Sequence, residues 1–244
     1  MTPGPHVSRI AQAYPDRVEV RGRDLTGDLM GRLSFTEYVH LLLTGDEAAE
    51  EQRFFLDLVL VAIAEHGMMP TNVAARMTLA ADPGSLQGAV AAGILGAGPV
   101  ILGTAEECAR ILRDSREPLE IVREIRAAGG KVPGFGHPVH KPVDPRAERI
   151  LELAGERGVA GAHVVRARAF QDAVAEVWGQ PLPMNVSMPI AAVLLDLGFP
   201  VDAVKAVPIL ARAASLLAHV AEEREQPIGF HLARAAEEAV EYER

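Results

Sequence analysis

Apolar side chains recur at helical spacing along most of this chain, and that spacing limits the folds open to it. Segment 47–66, for example, places Phe55, Leu58 and Ala62 on one face of a single helix. Only segment 17–25 alternates apolar and polar residues as a strand does, and a short hairpin is expected there. Aromatic residues make up 5% of the chain, and its abundant alanine and leucine favour closely packed helices. The sequence therefore predicts an all-α fold.

Capping and breaking residues bound the predicted helices. Ser34 and Glu37 form a capping box at the start of one helix, which is expected to end at Gly45. Thr71 is expected to cap a helix over 72–81. The other predicted helices are 85–95, 105–113, 118–128, 145–156, 161–178, 187–197, 201–223 with a break near Pro208, and 233–242.

The length, charge and cysteine content exclude several classes of protein. A chain of 244 residues with 49% hydrophobic residues can form one large domain, or one domain with a smaller lobe inserted. The formal net charge of −9 argues against a nucleic acid or an anionic membrane as partner. Cys108 is the only cysteine, so no disulfide can form within the chain. Neither a signal peptide nor a membrane-spanning apolar run is expected, which predicts a cytoplasmic protein.

The most unusual segment is 132–149, VPGFGHPVHKPVDPRAER, in which two histidines follow a Pro-Gly-Phe-Gly turn. Prolines at positions 138, 142 and 145 restrict φ around His137 and His140. Loops held stiffly in this way often carry catalytic or binding groups, so both histidines are expected at a functional site. The other histidines are scattered, and no cysteine or acidic cluster stands near them at the spacing of metal ligands. No metal site is therefore predicted.

This loop resembles the histidine loop of the citrate synthase superfamily, whose pattern is G-[FYI]-G-H-x-V-x-K-x-x-D-P-R. Four further segments resemble the same superfamily in the same order: 64–70 (AEHGMMP), 87–103 (QGAVAAGILGAGPVILG), 182–198 (LPMNVSMPIAAVLLDLG) and 210–223 (LARAASLLAHVAEE). The resemblance covers 18–223. It is nearest to the short members of the superfamily, namely citryl-CoA lyase and the C-terminal citryl-CoA-cleaving module of ATP-citrate lyase.

The resemblance implies an architecture and a reaction. Residues 1–103 and 187–244 would form a large helical domain, and 104–186 would form a smaller helical domain inserted between them. The family cleaves or forms the carbon–carbon bond between the α-carbon of an acyl-CoA and the carbonyl carbon of a 2-oxo acid. The implied ligands are a coenzyme A thioester, such as citryl-CoA or acetyl-CoA, and a 2-oxo acid such as oxaloacetate. A homodimer or higher homo-oligomer is also implied, with the small residues of 85–95 suited to its interface.

Matched residue by residue, the resemblance also implies roles in the site. His137 would polarise the oxo-acid oxygen, and His66 would bind the oxo acid or the citryl group. Arg146 and Arg212 would clamp carboxylates with bidentate geometry. Arg212 lies in an otherwise apolar segment, where a buried charge needs an anionic partner. Asn185 would orient the loop beside it.

Other basic residues have more than one interpretation. His140 and Lys141 fall where the family loop meets CoA, so contact with a phosphate and simple exposure are both open for them. His219 lies two turns after Arg212 in the same predicted helix, and it would either contact substrate or support another residue. Arg166 and Arg168 are weaker candidates for the CoA phosphates.

Two positions depart from the family pattern. Ile101 stands in a turn where full-length citrate synthases have a histidine, although the citrate-cleaving module also lacks one. Ser187 stands where the family has an aspartate that acts as acid and base at the α-carbon, and losing such a group removes about 10²–10⁴ in rate. For cleavage, His137 would take the hydroxyl proton, and water or Ser187 would protonate the enolate. Alternatively, Ile101, Ser187 and Met188 would make room for another acyl-CoA.

Three functions follow from these residues. The first is a carbon–carbon lyase acting on citryl-CoA or a related 3-hydroxy-3-carboxyacyl-CoA, or the reverse Claisen condensation. The second is a catalytically degenerate protein that binds a CoA ester or polycarboxylate, or regulates a partner subunit. The third is a helical scaffold with accidental similarity, and the joint presence of His66, His137, Arg146 and Arg212 argues against it.

Overall fold

The computed structural model describes residues 6–243. The expectation that no signal peptide is present rests in part on residues 1–5, which lie outside the described residues, as does Arg244. The chain divides into two compact units, Met1–Asp57 and Leu58–Arg244. The predicted partition into a large domain with an inserted lobe is a different one, and it stays a prediction.

The all-α prediction is confirmed, because α-helices make up most of the described chain. Within residues 6–243 the strands are β1 (Ala11–Ala13), β2 (Val18–Val20) and β3 (Arg23–Asp24), and a π-helical turn follows at Leu25–Leu29. The α-helices are α1 (Phe35–Thr44), α2 (Glu50–Ala64), α3 (Pro70–Ala81), α4 (Leu86–Leu95), α5 (Thr104–Arg113), α6 (Pro118–Ala127), α7 (Pro145–Glu156), α8 (Ala162–Trp178), α9 (Ser187–Asp196), α10 (Val201–Val204), α11 (Ala206–Glu225) and α12 (Gly229–Glu238).

The predicted hairpin is present in the first unit as β2 and β3. The two strands are antiparallel, and Val20 pairs with Arg23 across the turn Arg21-Gly22. Both turn residues have positive φ, 52° and 77°, which is the type I′ geometry whose twist suits a two-residue hairpin. The sequence did not reveal β1, which pairs with the other edge of β2.

Helix α1 begins and ends where the sequence predicts. The Ser34 hydroxyl oxygen accepts a hydrogen bond from the backbone N–H of Glu37, whose carboxylate accepts one from the backbone of Ser34 at 2.7 Å. The capping box is therefore confirmed. Gly45 ends the helix in the left-handed conformation, with φ at 92°. The core of this unit consists of Val20, Leu29 and Leu41.

Helix α9 is the central helix of the second unit. Every residue from 188 to 195 is buried, and α5, α7 and α8 pack against it. The small residues of 85–95 predict either a buried central helix or an interface helix, and within this chain α4 buries only Ala89 and Gly93 and leaves Leu95 86% exposed. Apolar residues lie on all sides of α4, but only the side that faces α3 and α11 is covered by other helices. The predicted interface role of α4 stays a prediction.

Gly93 allows α4 to approach its two neighbours closely. A Cβ atom added at Gly93 would lie 2.7 Å from the methyl carbons of Leu216 and 2.9 Å from the carbonyl oxygen of Thr71. Leu216 is itself packed in a buried cluster with Ala75 and Leu79, so it has little room to move aside. This contact fixes the spacing of α3 and α11, which carry several of the predicted site residues.

Helix α3 begins one residue before the position predicted for its cap. Its first residue is Pro70, which fits the first helical position because proline has no N–H to satisfy there. Thr71 therefore lies inside the helix, and its hydroxyl donates a hydrogen bond to the Asn72 side chain at 3.1 Å. The prediction that Thr71 caps this helix is wrong.

The last helix is displaced from its predicted range, 233–242, toward the N-terminus. The Glu223 carboxylate accepts hydrogen bonds from the backbone N–H groups of Ile228 and Gly229, at 2.9 and 2.7 Å, and starts α12 there. The helix break predicted near Pro208 lies at Lys205, between α10 and α11. Pro208 is then in the first turn of α11, where its missing N–H costs no helical hydrogen bond.

One segment has the length and composition of a membrane span. Val201–Glu225 contains an 18-residue window with a mean hydropathy of 1.4, so the expectation that no apolar run is long enough does not hold on length and composition. Of that window, 44% is buried inside the protein, where α11 packs against α3 and α4. Buried core helices pass the same length test, and α11 has the packing of such a helix.

Two glycine substitutions test the close helix contact. We expect Gly93→Ala to lower the free energy of unfolding by about 1–3 kcal/mol, because its methyl group overlaps Leu216 and backbone. Gly155→Ala, in α7 with no atom near the added methyl, should instead raise it by up to about 1 kcal/mol. Urea unfolding measures both values. Equal stability of the Gly93→Ala variant and the unaltered protein would contradict this account of the packing.

Candidate active site

The Pro-Gly-Phe-Gly turn closes against the segment that precedes α9. The carbonyl oxygen of Gly134 accepts a hydrogen bond from the backbone N–H of Asn185 at 2.8 Å, and the Asn185 side chain donates to the Gly136 carbonyl at 3.0 Å. Gly134 has φ at 82°, and a Cβ there would lie 2.8 Å from Cys108 Sγ and from Met188 Cβ. The glycine is thus required by both conformation and space. Asn185 thus holds the loop through its backbone and its side chain.

Three imidazoles converge behind this turn, although they are scattered along the sequence. His66 Nε2 lies 3.2 Å from His140 Nε2. The His137 ring stacks on the His140 ring with centroids 4.4 Å apart, and it meets His66 edge-on at 5.2 Å. All three side chains are half-buried. We call His66, His137 and His140 the histidine cluster. The His140 side chain thus lies against His66, and its predicted contact with a CoA phosphate stays a prediction.

Backbone hydrogen bonds fix the tautomer of His137. Its Nδ1 accepts hydrogen bonds from the backbone N–H groups of Val139 at 3.1 Å and His140 at 2.9 Å. The neutral ring must then carry its proton on Nε2, which makes that nitrogen a donor. Burial lowers the pKa of His137 below its ordinary value, and the nearby His140 adds to this effect. His137 is therefore a neutral hydrogen-bond donor near neutral pH.

The cluster also has the spacing of a possible metal site. One nitrogen from each ring lies within 4.8 Å of the others. A metal on His137 would need the lone pair of Nε2, but that nitrogen carries the proton while Nδ1 accepts two N–H groups. These hydrogen bonds suit a donor better than a metal ligand, and the expected absence of a metal stays a prediction.

Asp144 holds Arg146 beside the cluster. Arg146 donates from Nε and Nη2 to the two carboxylate oxygens of Asp144, at 3.0 and 2.8 Å. Asp144 is fully buried and also accepts the backbone N–H of Val186 at 3.2 Å. Burial raises the pKa of the Asp144 carboxyl, but the hydrogen bonds and charge of Arg146 outweigh it, and the pKa falls below its ordinary value. Sequence reasoning missed Asp144, although its place before Pro145 is typical of a helix cap.

Arg212 is a buried cation with few partners. Its side chain is 2% exposed, its Nη1 donates to the Asn72 side-chain oxygen at 2.9 Å, and its Nε is buried without a hydrogen-bond partner. Within residues 6–243 no carboxylate forms an ion pair with it. Burial lowers the pKa of Arg212, and the charge of Glu65 opposes that shift. An anion would compensate a guanidinium in this state, and the role of Arg212 in a ligand site stays a prediction.

Glu65 fixes the turn that carries His66. Its carboxylate accepts the backbone N–H groups of His66 at 2.9 Å and Gly67 at 2.6 Å. On α11 it contacts the Ser215 hydroxyl at 2.5 Å and His219 Nε2 at 3.0 Å. Burial raises the pKa of Glu65, but the hydrogen bonds led by Ser215 outweigh it and lower that pKa. Sequence reasoning missed Glu65, although it directly precedes a predicted site histidine.

His219 supports this turn, which was one of its two open roles. Arg76 Nε donates to His219 Nδ1 at 3.0 Å, and His219 Nε2 lies 3.0 Å from a Glu65 carboxylate oxygen and 2.8 Å from the Asn72 side-chain nitrogen. Arg76 is 1% exposed, and its charge is paired with Glu223 at 3.0 Å and with Glu222. A chain of polar contacts thus runs from α12 and α11 to the turn before α3. Sequence reasoning missed Arg76, and the signal that could have identified it is its place as an arginine in a mostly apolar helix.

Ser187 starts α9, and its backbone N–H donates to the Asn185 side-chain oxygen at 3.1 Å. Two hollows flank the loop that Asn185 holds. One of about 700 Å³ is lined by Val100, Lys131, Gly134, His137, Trp178 and Asn185 among others. The other, of about 480 Å³, is lined by Lys141, Pro142, Glu148, Gln171 and Met184 among others. Both have volumes typical of sites for small molecules or cofactors.

The remaining basic candidates make other contacts. Arg168 donates to both carboxylate oxygens of Glu148, at 3.2 and 3.0 Å, and to the Gln171 side chain at 3.0 Å. Arg166 donates to the backbone carbonyl of Arg116. The structure does not bring either arginine into a contact with the histidine cluster.

Comparisons with known proteins agree with this architecture. The family described as citrate synthase, C-terminal domain, matches residues 7–234. The citrate synthase of Haloferax volcanii is 30% identical over 192 residues, which are 75% of this chain and 50% of that protein. The chain thus spans about half the length of the curated relatives it matches.

Solved structures give the same result. The citryl-CoA lyase of Hydrogenobacter thermophilus superposes with a TM-score of 0.88 at 30% identity, covering 98% of this chain and 94% of that one. The ATP citrate lyase of Methanothrix soehngenii, in complex with citrate and coenzyme A, superposes with a TM-score of 0.84 over 100% of this chain and 42% of that one; at 20% identity this likeness concerns the fold alone. From the family match over nearly its whole length, the chain belongs to the citrate synthase family.

Proposed function

We propose that this protein is a carbon–carbon lyase that cleaves citryl-CoA, or a related 3-hydroxy-3-carboxyacyl-CoA, to an acyl-CoA and a 2-oxo acid such as oxaloacetate. The reverse Claisen condensation uses the same groups. The observation that carries this proposal is the buried Arg212 guanidinium. Its Nε has no hydrogen-bond partner, and its Nη1 donates to Asn72, whose amide donates to the Gly67 carbonyl next to His66. An anionic guest at this position would satisfy the cation. The likeness to a citryl-CoA lyase over 94% of its length supports the choice of substrate.

In this proposal, arginines bind the carboxylates of a citryl group through charge, and histidines bind its reacting part through hydrogen bonds. Arg212 and Arg146 bind carboxylates, and the Nη1 group of Arg146 lies outside its bonds to Asp144. His137 Nε2–H donates to the oxygen on the carbon where the bond breaks, which stabilises that oxygen as it changes from hydroxyl to carbonyl. His66 contacts the same oxo-acid part.

The thioester part has space beside the loop. The hollow of about 700 Å³ adjoins His137 and Asn185, so a pantetheine chain entering there reaches the histidine cluster. Lys141 lines the other hollow, and its contact with a CoA phosphate is part of the proposal. The cleft between two helical lobes and a homodimer are also part of it, by analogy with the family.

A second candidate function follows from one observation. Ser187 occupies the position of the family's acid–base aspartate, and its backbone N–H is held by Asn185. A protein that retains the carboxylate clamp and lacks that acid would bind a CoA ester or a polycarboxylate without cleaving it. Regulation of a partner would be its role.

We expect Arg212→Gln to weaken citrate binding by about 30- to 150-fold, because about 2–3 kcal/mol of charge-assisted hydrogen bonding is lost. Titration calorimetry measures this change, and thermal unfolding checks that the variant folds. Arg168→Gln, on α8 beside Glu148, is the matched control and should bind citrate as the unaltered protein does. Equal losses in both variants, or none in Arg212→Gln, would contradict the assignment of the clamp.

A turnover experiment separates the two functions. We expect the unaltered protein, incubated with citryl-CoA, to release acetyl-CoA and oxaloacetate in equal amounts. Citrate or citryl-CoA binding without product, together with product formation by Ser187→Asp, would favour the binding protein and reject the lyase.

A further inference from the structure

The proposed cleavage needs a base that the His137 ring does not supply. Its Nδ1 accepts two backbone N–H groups, so its Nε2 already carries a proton and can donate to the substrate hydroxyl but cannot take a proton from it. The sequence-based expectation that His137 serves as this base is therefore at odds with the structure. The α-carbon also needs an acid, and Ser187 is a poor one.

The carboxylates near the cluster are engaged elsewhere. Asp144 is fully buried and binds Arg146 through both oxygens. Glu65 accepts hydrogen bonds from Ser215, His219 and two backbone N–H groups. A carboxylate with its lone pairs occupied by donors is a weak base.

The remaining pair of groups has the required proton arrangement. His66 Nε2 and His140 Nε2 lie 3.2 Å apart, which is a hydrogen-bond distance, so in the neutral pair one nitrogen donates and the other is unprotonated. The same cluster brings both rings against His137, the group that would hold the reacting oxygen. The pair therefore contains one unprotonated Nε2 at the place where a proton must be moved, and its lone pair is bound only by the N–H of the other ring, which a substrate hydroxyl can displace.

We propose that the His66–His140 pair is the acid–base group of the reaction and carries one proton from the substrate hydroxyl to the α-carbon. This inference rests on the proposed lyase function. When substrate binds, its hydroxyl replaces the other ring's N–H at the unprotonated Nε2. That nitrogen takes the hydroxyl proton as the carbon–carbon bond breaks, the oxygen becomes the carbonyl of the 2-oxo acid, and the bonding electron pair passes to the thioester enolate. The protonated pair then gives its proton to the enolate α-carbon. The acyl-CoA is released, the pair is neutral again, and no other reactant is consumed.

The charges around the pair suit this cycle. The charged groups that act on His66 are Arg146, Asp144 and Arg212, and the His137 ring contacts both rings of the pair. Burial lowers the pKa of His66 below its ordinary value, and the charge of Arg146 adds to this, so the surroundings favour the uncharged form of His66 before substrate binds. The carboxylates of the substrate offset the two guanidinium charges when the pair takes its proton.

The side chain and the backbone of His140 can be tested separately. Its backbone N–H holds His137, and only its side chain meets His66. We expect His140→Gln to keep citrate affinity within about threefold and to lower kcat for citryl-CoA cleavage by about 10²–10⁴-fold. His231→Gln, at an exposed position on α12, is the matched histidine control and should cleave at the unaltered rate.

Two further readouts distinguish proton transfer from a structural role. Added imidazole should restore part of the cleavage activity to His140→Ala but not change that of the unaltered protein. The acid limb of the profile of kcat/KM against pH should lie below the ordinary pKa of histidine in the unaltered protein, because burial lowers the pKa of His66, and this limb should move in His140→Gln.

The outcomes are distinct for the two proposals. No cleavage of citryl-CoA by the unaltered protein would reject the lyase function and this inference with it. Cleavage by the unaltered protein with an equal kcat and the same acid limb in His140→Gln would overturn only the role of the pair. A lower kcat without imidazole rescue and with an unmoved acid limb would also overturn it, because it would assign His140 a structural role.

Discussion

A positive charge held away from water determines the character of this site. Arg212 is almost completely buried on α11, and in the described chain its guanidinium has one amide partner and no paired carboxylate. Arg146 lies nearby and is balanced by the buried Asp144. The cost of an uncompensated buried cation is several kcal/mol, so the free site is poised for an anionic guest. The arginine charge also helps to keep the imidazole of His66 neutral.

Neutral imidazoles give the site its chemistry. A charged histidine donates from both nitrogens, whereas each neutral ring presents one donor and one acceptor whose positions depend on its partners. Backbone N–H groups assign these roles for His137. These hydrogen bonds are made to the ring nitrogen that does not face the ligand, so the donors and acceptors are in place before substrate binds. In the proposed reaction, the His66–His140 pair holds the proton that the family's aspartate would carry at position 187.

Much of the fold could be predicted from the sequence because its signals are local. The capping box at Ser34 and the left-handed Gly45 each involve residues a few positions apart, and both appear as expected. The start of α12 could not be predicted in this way, since it depends on the carboxylate of Glu223 across a turn. The burial of α9 rather than α4 depends on which elements surround each helix. In a helix that is apolar on all sides, the spacing of apolar residues does not predict how many neighbours will cover it.

The candidate site was predicted in part for the same reason. The family pattern led to His66, His137 and Arg212, because that pattern is written in the sequence. It did not reveal that His140, 74 positions from His66, would meet it, nor that Glu65 and Asp144 would hold the turn and the clamp. These are contacts between elements that come together only in the folded chain, and each joins polar groups whose sequence context is unremarkable.

A crystal structure of the protein with citryl-CoA bound would test the central claim most directly. The account predicts a substrate carboxylate on the Arg212 guanidinium, with the citryl hydroxyl oxygen within hydrogen-bond distance of His137 Nε2 and of a nitrogen of the His66–His140 pair. A ligand bound elsewhere, with Arg212 still lacking an anionic partner, would contradict it.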